Sequence, residues 1–376
     1  MTELPQEASA AALAGLERMT IARLAALLSG NEPTTVVSMI KGEVAPRGMV
    51  AKLFDIEGLL GAWRRSIAHR PPEAVWESCV AQGIDVFVRG RPHYPAQLDL
   101  DPVAPSVLFV RGSFARVTGR RVGVVGTRNA TAAGRASATA LGRDLTAAGV
   151  HVVSGLARGI DGCAHRGALE LATAAPVAVV ASGLDVVYPR EHRALWEAVA
   201  ERGVLVSEAP PGTPPEAHRF PLRNRIIAAL SEVLVVVESR ETGGSLLTVG
   251  EAKLRGVMVM AVPGAVSNRA ARGTNDLVRD GCAVATDAGD VLVALGLDSR
   301  RAHGAVYDPR PRPGGADRAL LELCREPRTL EQCTLLSGRT LVECAMSLAR
   351  LEVHGWLHQV NGWYEAIGPS GPGSAQ

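Results

Sequence analysis

The chain has 376 residues, 47% of them hydrophobic, with a mean hydropathy of +0.12. That is long enough for more than one domain of ~100–200 residues and apolar enough for a buried core. A net charge of +2 excludes a globally basic nucleic-acid coat. The N-terminal MTELPQEASA has no basic segment leading into an apolar one, and no apolar run approaches ~18 residues, so neither a signal peptide nor a membrane contact is expected. Cys79, Cys163, Cys282, Cys324, Cys333 and Cys344 form no CxxC pair and no zinc spacing. They read as reduced thiols of a cytoplasmic protein, with neither metal nor cofactor implied.

Residues 1–75 read as a small helical (SAM-like) module. Leu13, Leu16, Ile21, Leu24 and Leu28 fall near helical spacing, and Ser29-Gly30-Asn31-Glu32-Pro33 stops the run. From about 76 to 300 strands alternate with helices. The expected strands are Asp85–Val88, Val107–Val110, Val122–Val125, Val150–Val153, Val177–Val180, Val204–Val206, Val233–Val237, Val257–Ala261 and Ala283–Ala285. Most are valine runs without polar alternation, the pattern of a sheet covered on both faces. The fold class is therefore α/β, an open, doubly wound parallel sheet. Residues 301–315 form a Pro-rich linker, and 316–370 give helices followed by a hairpin at Asn361-Gly362, the order of a winged helix.

Two strand–glycine–helix units stand in tandem. Val122–Val125 leads into Gly126-Thr127-Arg128, and Val150–Val153 into Ser154-Gly155-Leu156-Ala157-Arg158-Gly159, followed by Asp161. Such turns gather backbone amides and helix N-termini at one sheet edge, where open α/β sheets bind anionic ligands. The spacing is not the G-x-G-x-x-G of dinucleotide binders. Gly155 and Gly159 would permit close approach of a ligand or a positive φ, and Asp161 is expected to cap its helix. Asp161, Cys163 and His165 make no nucleophile cluster, because Cys163 points away from the other two on a helix.

Arginine is concentrated on the same edge. Residues 102–143 hold seven arginines and no acid, and Arg219, Arg223 and Arg225 flank Phe220 and Asn224 with no acid between Glu216 and Glu232. These arginines are expected to hold phosphates, with Phe220 a candidate to stack on a base. Gly243-Gly244-Ser245 through Thr248 adds a glycine-rich loop opening a helix. It lacks the Lys-Ser/Thr of an ATP-hydrolysing loop.

VGTR, SGLARGIDGCAH, LDVVYP, SEAPPG, FPLRNRIIAAL, GGSLLT, AVPG and GTNDLVRDG occur in this order between about Arg91 and Leu297. Together they resemble the DNA-processing protein A (DprA/Smf) family. The resemblance implies an extended Rossmann-like fold and a single-stranded DNA-binding mediator, not an enzyme. Such a protein protects incoming DNA and loads the recombinase RecA in natural transformation, as a homodimer through the Rossmann domain. It also implies a DNA pocket at Arg128, the Gly155–Asp161 turn, Arg219–Arg225 and the Gly243–Thr248 loop. The alternative is a nucleotide N-glycosidic hydrolase of a related Rossmann-like family, for which Glu238 and Glu251 are the candidate carboxylates.

Overall fold

The computed structural model describes residues 4–297, 310–311 and 313–367, and the chain divides into two compact units, residues 1–299 and 300–376. Most of the proline-rich segment thus lies outside the described residues.

The first unit opens with six helices: α1 (Gln6–Ala14), α2 (Ile21–Leu28), α3 (Pro33–Lys41), α4 (Gly48–Phe54), α5 (Leu59–His69) and α6 (Pro72–Ala81). Pro33, read from sequence as a stop, is also the first residue of α3, where its missing N–H is harmless. These helices share a core with the sheet that follows. Leu13, Leu27, Ile40 and Trp63 belong to one buried cluster with Phe109, Ala178, Trp196 and Leu205.

Nine strands, among the described residues, form one sheet. They are β1 (Asp85–Val88), β2 (Val107–Gly112), β3 (Arg121–Val125), β4 (His151–Ser154), β5 (Val177–Val180), β6 (Val204–Ser207), β7 (Val233–Val236), β8 (Met258–Ala261) and β9 (Ala283–Val284). Their order is β1-β2-β6-β5-β4-β3-β7-β8-β9. The strands from β6 to β9 pair in parallel, whereas β2 is antiparallel to both β1 and β6. An all-parallel sheet was expected. The sheet is mixed because β2 runs against both of its neighbours, and β1, joined to it through the single helical turn α7 (Ala96–Asp99), closes that edge.

The remaining helices are α8 (Ala132–Ala147), α9 (Ile160–Leu169), α10 (Arg193–Arg202), α11 (Arg219–Leu230), α12 (Ser245–Leu254), α13 (Arg272–Arg279) and α14 (Ala288–Ala294). They cover both faces, which is why β5, β6 and β7 are buried along their whole length. The glycines of α8 and α9 serve helix-to-helix contact. A Cβ on Gly142 would collide with the carbonyl of Ala164, and one on Gly167 with that of Thr139. Winding runs outward from β3 through β4 to β6, and outward the other way from β7. The switch point therefore lies between β3 and β7, where crevices open beyond the strand ends.

The second unit contains α15 (Gly315–Leu323), β10 (Arg328–Thr329), α16 (Leu330–Ser337), α17 (Leu341–Val353), β11 (Leu357–Val360) and β12 (Trp363–Ala366), with strand order β10-β12-β11. It has its own core of Leu320, Cys324, Cys333, Cys344, Leu348, Leu351 and Leu357. Thr329 and Thr340 each close a capping box, with Gln332 and Glu343. Asn361 and Gly362 take φ of 52° and 85°, the left-handed pair that a tight hairpin between β11 and β12 requires. Arg310 lies 3.8 Å over the Trp356 ring, and Trp356 Nε1 donates to the Pro311 carbonyl at 2.9 Å. The end of the proline-rich segment is thereby tied to this unit.

Candidate nucleic-acid interface

A cleft of about 780 Å³ opens at the switch point. Three segments build its walls: the turn after β3, the start of α11, and the loop from β7 into α12. Of the residues singled out from sequence, Gly126, Thr127, Arg128, Asp161, Phe220, Arg223, Asn224, Gly243, Gly244, Ser245 and Thr248 line it. Arg128 is exposed, and no carboxylate lies within ion-pair distance of it among the described residues. Its guanidinium sits 4.6 Å from the centroid of the Phe220 ring, a cation–π contact. Phe220 in turn lies 5.6 Å from Tyr188 at an interplanar angle of 55°. One cation and two aromatic faces therefore stand in a row on the cleft wall.

The floor is a buried arginine and a buried aspartate, joined through the backbone between them. Arg223 and Asp161 are 7% and 6% exposed and bracket the Gly155 peptide. Arg223 donates to the Gly155 carbonyl at 2.8 Å and also to that of Val179, while Asp161 accepts from the Gly155 amide at 3.1 Å. Burial pulls the Arg223 pKa down to about 10, with Asp161 opposing, and raises that of Asp161, with Arg223 opposing. These contacts correct two expectations. Asp161 lies inside the first turn of α9 and pins Gly155; it does not cap the helix, whose N-cap is Gly159. Gly155 is small to admit Arg223 rather than a ligand, because a Cβ there would collide with the guanidinium. Gly159 does have positive φ, 73°, and packs against the carbonyls of Thr127 and Arg128.

The other singled-out residues do not line the cleft. Ser154 is fully buried, and its hydroxyl donates to the Val124 carbonyl at 2.6 Å. Arg158 is exposed and paired with Glu191. Arg219 pairs with Glu216 at 2.9 Å, and Arg225 is buried against Glu208 at 2.6 Å. The expectation that no acid neutralises Arg219 and Arg225 was wrong, because Glu216 is one turn away and Glu208 is brought in from the end of β6. Ser245, by contrast, does line the cleft, though its hydroxyl turns inward to that of Ser239 at 2.9 Å.

Sequence reasoning missed Tyr188, Arg240, Thr242 and Leu247, which line the cleft. Arg240 is exposed on the loop after β7, and its carbonyl accepts from the Gly243 amide at 2.9 Å. Its place directly after a strand at the sheet's ligand edge was a usable signal. Tyr188 carried no such signal beyond the LDVVYP motif.

A family model for DNA recombination-mediator protein A matches residues 85–296. The chain belongs to this family. A Mycobacterium tuberculosis relative is 39% identical over 263 residues, covering 67% of this chain and 66% of that protein, so the match spans just under two thirds of its length. DNA processing protein DprA of Bacillus subtilis is 38% identical over 215 residues, 57% of this chain and 72% of that protein. Among solved structures, DNA processing protein A from Streptococcus pneumoniae superposes with a TM-score of 0.63 at 27% identity, covering 78% of this chain and 98% of that one. The Helicobacter pylori protein, described for its single-stranded DNA binding mode, gives 0.51 at 25% identity, covering 57% and 96%. The family match embraces every wall of the cleft. Among the described residues no helix is long and apolar enough to cross a membrane.

Proposed function

We propose that this family member binds single-stranded DNA in the cleft between β3 and β7. It acts there as a mediator without enzymatic activity, protecting incoming strands and passing them to RecA in transformation and recombination. It works in the cytoplasm as a homodimer through the Rossmann-like domain. The observation that carries the reading is the row of Arg128, Phe220 and Tyr188 beside Arg240. Arginines hold phosphates whatever the sequence, and an aromatic face can stack on a base only when that base is unpaired.

The hydrolase alternative needs a carboxylate facing the substrate. Glu238 is buried and bonded to Thr131, and Glu251 pairs with Arg255 at 2.6 Å. Neither lines the cleft, and Asp161 is held in the floor by the Gly155 amide. The second unit is read as a winged helix with an accessory role. The N-terminal module, which lacks a glycine-hairpin signature, is assigned packing against the sheet.

Fluorescence anisotropy with oligothymidylate and with a duplex, across a salt series, tests the function. Tighter binding of the single strand, falling steeply with salt, is expected. Equal affinity for duplex, or release of free base from nucleoside monophosphates, would overturn it.

A further inference from the structure

Beneath the cleft lies a carboxylate that the binding reading leaves unused. Glu238 directly follows the last strand residues before the Arg240 loop and is 5% exposed. No arginine, lysine or histidine lies within ion-pair distance of it among the described residues. An unpaired buried charge is costly unless hydrogen bonds and dipoles compensate it. Here both are present. One carboxylate oxygen accepts from the Thr131 amide at 2.9 Å, and the other from the Thr131 hydroxyl at 2.6 Å, with Asn268 Nδ2 at 3.5 Å. Thr131 is the N-cap of α8, its hydroxyl accepting from the Gly134 amide at 3.0 Å. Glu238 thus sits at the positive end of a 16-residue helix. Residue 134 must be glycine to leave it room, since a Cβ there would collide with the carboxyl group.

This changes the electrostatic reading of the turn. Sequence suggested that the N-terminus of α8 waits for a phosphate beside Arg128. In the structure that helix end already holds an anion, supplied by the protein itself. The main chain of Glu238 does a second job, its carbonyl accepting from the Thr127 amide at 2.7 Å. The segment 127–131 is therefore fastened at both ends to one residue, with Arg128 between the two fastenings.

We propose that Glu238 is the positioning residue of the cleft: it fills the N-terminus of α8 and holds the 127–131 turn so that Arg128 stands over Phe220 before a ligand arrives. The proposal rests on the single-strand reading above. Glu238 touches no ligand and acts through Thr131 and the turn.

The test uses the full chain and fluorescein-labelled oligothymidylate. Thr131→Val removes the hydroxyl at a partly exposed position, and with it the α8 cap at about 1 kcal/mol, a loss the fold is expected to survive, while Glu238→Ala removes the whole carboxylate. Each is expected to weaken binding roughly ten-fold, comparable with Arg128→Ala. On an Arg128→Ala background each should add less than about two-fold, because the residue they position is gone. Glu238→Gln keeps an acceptor for the Thr131 amide and gains a donor for its hydroxyl, so binding within about three-fold of the parent is expected. Full losses that add to that of Arg128→Ala would overturn the proposal, as would unchanged binding by Thr131→Val. If Glu238→Ala fails to fold, Thr131→Val and its double variant decide. A parent protein that does not bind the oligonucleotide removes the single-strand reading itself, and the proposal with it.

Discussion

The Arg223 guanidinium occupies the space in which a side chain at Gly155 would begin. The two residues come from neighbouring segments of the sheet edge and fit together as plug and socket, with Asp161 behind them. Removing Arg223 would strand the buried Gly155 and Val179 carbonyls and leave Asp161 without the nearby opposing charge, at about 1–3 kcal/mol per stranded group. Arg223→Ala should therefore lower stability by that order, and Gly155→Ala should do so by expelling the guanidinium. Adding Asp161→Asn to Arg223→Ala should recover part of the loss. Urea denaturation measures all three. Full stability in Arg223→Ala would mean that the arginine is a ligand contact and not a structural plug.

Arg128 and Arg240 are exposed on the cleft and are expected to behave differently from Arg223. Alanine at either should leave the unfolding midpoint unchanged. A charged hydrogen bond to phosphate contributes about 1.5–3 kcal/mol, so affinity for oligothymidylate should fall roughly ten-fold or more. Each lost phosphate contact should also flatten the salt dependence by about 0.7 in the log–log slope. A weaker affinity with an unaltered slope would count against phosphate contact.

The contrast shows what was legible in the sequence. All nine strands were expected from the sequence, most of them from valine runs, because burial on both faces leaves a local mark. The antiparallel edge was not, since strand direction depends on which strand accepts the pairing, and a valine run does not record that. Within the site, the turn at Arg128 could be read from a strand followed by Gly126-Thr127. The fates of Arg219, Arg223 and Arg225 could not. They lie on one helix within seven residues, yet Glu216, the Gly155 peptide and Glu208 take one each. Distant partners decide whether an arginine faces a ligand or a carboxylate, and the local run of charge does not record them.

Phe220 and Tyr188 should act as base platforms. Stacking contributes about 1–3 kcal/mol per base and tolerates any sequence. Replacing either by leucine, which keeps apolar volume but has no π face, should weaken binding of oligothymidylate. Tyr188→Phe should bind like the parent, because the ring and not the hydroxyl is used. Quenching of 2-aminopurine placed in the oligonucleotide would follow the contact directly. Equal binding by Phe220→Leu and Tyr188→Leu would confine recognition to phosphate.

His165 supplies a pH signature. It is fully buried on α9, and burial pushes its pKa down to about 3 from 6.5, the Ser154 backbone opposing. The folded state therefore holds the ring neutral where the unfolded chain protonates it. Its contribution to stability is complete above about pH 6.5 and is lost as pH falls toward 3, at up to about 1.4 kcal/mol per pH unit. Asp161, whose pKa burial raises from 3.8, works in the opposite sense, so a raw pH profile mixes the two. The difference between the parent and His165→Leu separates them. Urea midpoints measured between about pH 4.5 and 7 should fall less steeply with acid in the variant, by up to one proton's worth of slope. Parallel profiles would mean that the imidazole gains a proton in the folded state as readily as in the unfolded chain, against its burial in the helix core.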